Sequence, residues 1–210
     1  MSDRQVPSLH LIVDCPQDLS RLLDTVRVAA ENGVDWIHVR DHHASARDLD
    51  DLAQAIGDVC RPLGVRFLVN DRIDVALAAG ADAVQLGRRS LPVSAARRIA
   101  PHLRIGVSTH TRDEAVQAAR DGAEWITFGH IFPTSSHPGE APRGLDELAK
   151  VVPSVPLPVI AIGGITADNA RRTIEAGAAG VAVISAILNA PDPARATRAL
   201  RRALWMPEMS

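Results

Sequence analysis

Short apolar and β-branched runs alternate with longer Ala-, Leu- and Arg-rich stretches from one end of the chain to the other. The runs at 8–14, 35–40, 66–70, 83–87, 104–108, 124–130, 158–163 and 180–184 are short and nearly continuously apolar, the pattern of strands covered on both faces. The segments near 18–32, 45–61, 72–79, 93–100, 112–121, 145–152, 167–176 and 192–204 space their apolar residues three and four apart and are expected as helices, with Thr111 and Thr166 as N-caps. Parallel strands need crossover connections, and helices between successive strands supply them. Eight such units predict an α/β protein with a single (β/α)8 TIM barrel over 8–205, a polar N-terminal tail over 1–7 and a C-terminal tail over 206–210. An open doubly wound sheet lacks its signature here, because no GxGxxG turn follows the first strand.

Composition narrows the function. A formal net charge of -2 without a basic tract, and aromatics at 3%, leave neither a phosphate-tracking surface nor a base-stacking platform, so nucleic acid is not an expected partner. The first residues lack the apolar run of a secretory signal, and no segment is apolar for long enough to span a bilayer. The expected localisation is cytoplasmic, with no membrane partner. Cys15 and Cys60 lie far apart without a CxxC pair and are expected to be reduced. Lys150 is the only lysine and falls in a predicted outer helix, so Schiff-base chemistry has no nucleophile at a strand end.

In a parallel barrel the chemistry collects where strands end. Read in order, the strand ends offer His10, then His38 and Arg40, then Asn70 and Asp71, then Gln85, Arg88, Arg89 and Ser90. The later ones offer Ser108 and His110, His130, Gly163 and Gly164, and Ser185. Glycines after the seventh strand let backbone approach a phosphate, and N–H groups at Ser185–Ala186 can face the same anion; the plainer reading is a tight strand-to-helix turn. His130 precedes the longest irregular stretch, 131–144, and imidazole there suits proton transfer near neutral pH. Arg40 either pairs with Asp41 or Asp71, or grips a carboxylate or phosphate. Arg143 closes over an anion or is solvated. Asp71 alone makes a weak Mg²⁺ ligand, so no metal site is expected.

VND at 69–71, VQLGRRSLP at 84–92, GVSTH at 106–110, FGHIFPTSSHPGEAPRGL at 128–145, VIAIGGIT at 159–166 and GVAVISAI at 180–187 together resemble, in order and spacing, the thiamine phosphate synthase/TenI superfamily. The synthases of that superfamily join a pyrimidine diphosphate to a thiazole phosphate and typically carry QLRxK, GQxD and GPxFPTxTK. Here the first reads His38-Val39-Arg40-Asp41-His42, without the glutamine and the lysine. Ser90 replaces the second magnesium carboxylate, and His130 and His137 replace the proline and lysine of the third. A departing diphosphate needs strong cationic support, which these losses weaken.

The same positions resemble TenI-type thiazole tautomerases. That resemblance implies an isomerase of thiamine biosynthesis that aromatises a carboxylated dihydrothiazole phosphate by proton transfer, needing no cofactor. It implies His130 as the proton shuttle, and Gly163, Gly164, Ile184 and Ser185 around the phosphate. Arg40 and Arg88 or Arg89 take the substrate carboxylate, and His10, His38, Asn70, Gln85, Ser108 and Thr134 complete the substrate-binding set. A homodimer is also implied, with Trp205 either at its interface or packed on its own barrel. Two other readings stay open: a thiamine phosphate synthase, which would use Mg²⁺, and a non-catalytic barrel that senses a thiazole or thiamine phosphate.

Overall fold

Every apolar run expected as a strand forms one in the computed structural model, which describes residues 6–15 and 18–205. The expectations for residues 1–5 and 206–210 lie outside the described residues. The strands are β1 (Ser8–Val13), β2 (Trp36–Val39), β3 (Arg66–Asn70), β4 (Ala83–Leu86), β5 (Arg104–Thr109), β6 (Trp125–Gly129), β7 (Val159–Ile162) and β8 (Gly180–Val183). Each pairs in parallel with its neighbour in sequence, and β8 returns to β1 with Ser8 opposite Gly180 and Leu11 opposite Val183, so the barrel is closed.

Around it run α1 (Leu19–Glu31), α2 (Ala46–Cys60), α3 (Ile73–Ala78), α4 (Val93–Ile99), α5 (Arg112–Arg120), α6 (Gly144–Val151), α7 (Ala170–Glu175), α8 (Ser185–Leu188) and α9 (Pro193–Leu204). Side chains cap several of them where orphan N–H groups need acceptors: Asp18 accepts from the Arg21 N–H, Ser45 from Asp48, Thr111 from Glu114 and Asp192 from Arg195. Thr166 does not cap α7. The Asn169 side chain accepts from the Thr166 N–H at 2.9 Å and donates to the Gly164 carbonyl at 2.9 Å, which holds 164–169 as a turn and delays the helix to Ala170.

Two apolar cores result. The larger lies between sheet and helices, and a smaller one fills the barrel axis with Ile12, Trp36, Leu68, Ala83, Trp125, Ile160 and Ala182. Gly106 makes room for Trp125, since a Cβ there would stand 2.1 Å from the Trp125 ring. Arg104 lies 5.5 Å from both the Trp36 and Trp125 ring centres and Arg66 lies 5.0 Å from Trp36, so cationic groups close the N-terminal end of the axis. The axis is plugged from below, and the open end is the one where the strands finish. Among the described residues no helix is long and apolar enough to cross a membrane.

Candidate functional site

Strand alternation sends every second residue inward, and above the two tryptophans the inward side chains become polar. There the strand ends and their loops enclose a cavity of about 770 Å³. Arg40, Asn70, Arg88, Ser108, His130, Thr134, Gly163, Gly164, Ile184 and Ser185, all expected from the sequence, line it. His42, Asp71, Arg89, His110, Thr127 and His137 line it as well. Of these Thr127 had not been singled out. It belongs to an apolar-looking strand, and only the inward register of β6 reveals it.

His10, His38 and Gln85 are not on the cavity wall. They lie beneath it, at 3%, 1% and 2% exposure. His10 Nδ1 meets His38 Nε2 at 2.8 Å, and His10 Nε2 meets the Ser8 hydroxyl at 2.9 Å. Burial first, and then the neighbouring His38, hold the His10 imidazole well below its usual range. Burial and the nearby Arg40 push His38 down to about 3. These rings are neutral core groups at physiological pH. Arg143 also stays off the wall; its backbone N–H donates to the His130 carbonyl at 2.8 Å and so closes the long loop on itself.

One side of the cavity is cationic. Among the described residues no carboxylate comes within ion-pair range of Arg40, Arg88 or Arg89. The bland pairing of Arg40 with Asp41 or Asp71 is therefore not formed, and three guanidinium groups are left to meet an anion. Asp71 is engaged elsewhere. Its Oδ1 accepts from the Ser90 hydroxyl, which in turn accepts from the Gly87 N–H at 2.7 Å, while Oδ2 faces His42 Nδ1 at 3.5 Å. Asp71 holds this pose with a φ of +63°.

The loop side carries imidazoles. His130, 3% exposed, stacks on His137 with ring centres 4.7 Å apart, and its Nε2 lies 3.4 Å from the Glu140 carbonyl. His110 Nδ1 donates to the Gly129 carbonyl at 2.9 Å, since a carbonyl can only accept. Burial lowers the His137 and His42 imidazoles from their usual range, with His130 adding to the effect at the first and Arg40 at the second.

The opposite side is built for close backbone approach. Gly163 and Gly164 take φ of +98° and +64°. A Cβ on Gly163 would stand 2.3 Å from His130 Cβ, and one on Gly164 2.3 Å from the Pro133 carbonyl oxygen. The glycine pair thus lets the loop after β6 pack onto the turn after β7, and α8 starts beside it at Ser185. Cys15, near the mouth, is raised to about 11 by burial and by Asp41, and Cys60 to about 12 by burial and Asp82, so neither is a thiolate.

Comparison with known proteins adds what geometry alone leaves open. Residues 9–187 match the family model described as thiamine monophosphate synthase. A thiamine-phosphate synthase of Pyrococcus furiosus is 40% identical over 96% of this chain and 97% of its own length, and one of Chlorobium luteolum is 45% identical over 95% and 94%. The solved structure of a thiamine phosphate pyrophosphorylase from Pyrococcus furiosus superposes with a TM-score of 0.86 at 39% identity, covering 96% of both chains. A 3-hexulose-6-phosphate synthase at 20% identity and a TM-score of 0.72 shares the fold alone.

These matches overturn the expectation of a TenI-type thiazole tautomerase and of an isomerase, because the relatives are synthases, which are transferases. The sequence reading treated the lost lysines as lost cations. In the folded chain the three unpaired guanidinium groups of Arg40, Arg88 and Arg89 line one cavity, so a cationic side persists without the lysines, while His42 and His137 beside them are held toward the neutral form. The chain belongs to the thiamine monophosphate synthase family.

Proposed function

We propose that this chain joins a hydroxymethylpyrimidine diphosphate to a thiazole phosphate, a transferase reaction of the thiamine-phosphate synthase type. The observation that carries the proposal is a single cavity with two different anion ends. Arg40, Arg88 and Arg89 make one, and the Gly163–Gly164 turn with Ile184 and Ser185 makes the other. A reaction between two phosphorylated partners uses both ends; a carboxylated monophosphate would fill two ends as well, and the similarity to synthases over nearly the whole chain favours the coupling reaction.

Between the ends, Asn70, Ser108 and Thr127 give the wall polar groups, and Ile162, Ala182 and Ile184 give it an apolar strip. Asn70 Oδ1 and Thr127 Oγ1 are buried without a protein partner. Ring nitrogens or amino groups of a heteroaromatic substrate satisfy such atoms, and the apolar strip accepts a ring face. As the bond to the diphosphate breaks, negative charge gathers on the departing oxygen while the new bond to the thiazole forms. The guanidinium groups are permanently charged and meet that oxygen in forked geometry. The contact from Arg143 to His130 closes the base of the loop whose Pro133, Thr134 and His137 line the cavity.

The synthases of the family use Mg²⁺, and the residues here do not fit it well. Magnesium asks for near-octahedral oxygen donors. Asp71 has one oxygen on Ser90 and the other toward His42, and Ser90 stands where a second carboxylate is needed. Among the described residues no group of three His, Cys, Asp or Glu side chains converges on a point. No step is assigned to a metal. His130, in this reading, belongs to the imidazole group that backs the loop, and the shuttle role lapses with the tautomerase.

The test is formation of thiamine phosphate and inorganic diphosphate from the two purified substrates, with and without chelator. Tight binding of both substrates with no coupled product even at stoichiometric enzyme overturns the proposal. Trp205 is 57% exposed, which leaves surface for the proposed homodimer to cover; sedimentation of the parent and of Trp205→Ala checks this.

A further inference from the structure

Gln85 sits on β4 just under the cavity, too deep to touch a substrate, yet both ends of its amide are used. Its Oε1 accepts from the Trp125 indole at 3.0 Å and its Nε2 donates to the Ser108 hydroxyl oxygen at 2.9 Å. An amide can in principle be turned either way, but the indole N–H only donates, so the amide oxygen must face Trp125. The NH₂ group must then face Ser108. A serine oxygen that already accepts from below directs its own hydrogen elsewhere, and among the described residues the Ser108 hydroxyl donates to no protein acceptor. Ser108 is half-buried and lines the cavity.

We infer that Gln85 is a positioning residue: anchored by Trp125, it turns the Ser108 hydroxyl into a fixed hydrogen-bond donor aimed into the cavity. Neighbouring strands make this possible. Gln85 pairs in register with Gly106, and Gly106 with Trp125, so the small residue on β5 lets the indole reach across to the amide on β4. The ligand atom that receives the bond is an acceptor, an oxygen or an unprotonated ring nitrogen of the substrate. A preset donor costs no reorientation when the substrate arrives, whereas a free hydroxyl divides its time among rotamers.

The inference rests on the synthase reading, and a double-mutant cycle separates the two. In the coupling assay, Ser108→Ala and Gln85→Met are each expected to lower kcat/KM by roughly ten-fold, with the double variant no worse than Ser108→Ala alone. Losses that multiply, or a Gln85→Met protein within about two-fold of the parent, overturn the positioning role while leaving the synthase intact. A parent that neither couples nor binds the two substrates overturns both.

Gln85→Glu covers the case in which Gln85→Met fails to fold, because a carboxylate still accepts from Trp125. The ionised side chain also accepts from Ser108, which turns the hydroxyl hydrogen away from the cavity, while the protonated form donates as glutamine does. Activity relative to the parent should therefore fall as the pH rises from about 6 to about 8.5. A loss that instead deepens toward low pH overturns the inference, and so does one that follows a fall in melting temperature rather than a fall in kcat/KM of the folded protein, because ionising a buried carboxylate by itself costs stability in the same direction.

Discussion

Acid should unfold this protein partly through the two imidazoles under its active cavity. His10 and His38 touch through ring nitrogens 2.8 Å apart at 3% and 1% exposure. That contact needs one donor and one acceptor, so at least one of the two rings must stay neutral to keep it. Both are held below their usual range, chiefly by burial, and His38 titrates at about 3. Below about pH 6.5 the unfolded chain binds a proton on each ring and the folded chain does not. The stability these rings contribute is complete above that pH and is lost as the pH falls toward the folded values, at about 1.4 kcal/mol per unit per ring. By about pH 5 the loss is about 2 kcal/mol for His38, and His10 adds to it in the same direction, a large share of an ordinary domain's stability. Urea unfolding of the parent and of His10→Gln/His38→Gln at about pH 7 and about pH 5 isolates this effect, because the other titrating groups cancel in the difference. The parent should lose at least about 2 kcal/mol more than the variant. Parallel losses refute the reasoning, and so does an NMR titration placing the His38 ring near 6.5 in the folded protein, a measurement that needs no variant.

The cationic side of the cavity should respond to pH in its ligand affinity. His42 and His137 lie below their usual range in the free protein, so they charge only as the pH falls below about 6.5; inorganic diphosphate should bind more tightly at about pH 6 than at about pH 8. Calorimetry on His42→Gln/His137→Gln should show a smaller gain, and an equal gain in both proteins counts against the imidazoles. Ser90→Asp restores a second carboxylate beside Asp71, so turnover should become stimulated by magnesium in the variant and change little with chelator in the parent; an equal response in both refutes the fit argument. Gly163→Ala would force a Cβ to 2.3 Å from His130 in a left-handed turn, costing about 1–3 kcal/mol and loosening the loop. An unchanged melting temperature with unchanged thiazole phosphate affinity would show that the turn has more room than its geometry indicates.

The barrel was legible because its causes are local. Eight short apolar runs between eight amphipathic segments leave few ways to cover both faces of a parallel sheet, and the strand bounds moved by only a residue or two. Where a long-range bond competes, the reading slipped: Asn169 ties back to Gly164 and shortens α7, which no periodicity announces. The close approach at Gly163–Gly164 was visible as a glycine pair at a strand end, but the neighbours that require it, His130 and Pro133, were not.

The site divided along the same line. Residue types at strand ends were readable one by one, since alternation says which side chains point inward. Depth along the axis was not, so His10, His38 and Gln85 looked like substrate contacts and proved to lie under the cavity. Nor was the sum of charges: the loss of two lysines looked decisive until folding set three unpaired arginines around one space. Sequence by itself determined the elements, their order and the end of the barrel where the polar strand ends gather, because those follow from short-range periodicity. Which groups share a cavity, how deep each lies and what charge they make together were decided only by the tertiary structure, because electrostatics and packing depend on distances between residues far apart in the chain.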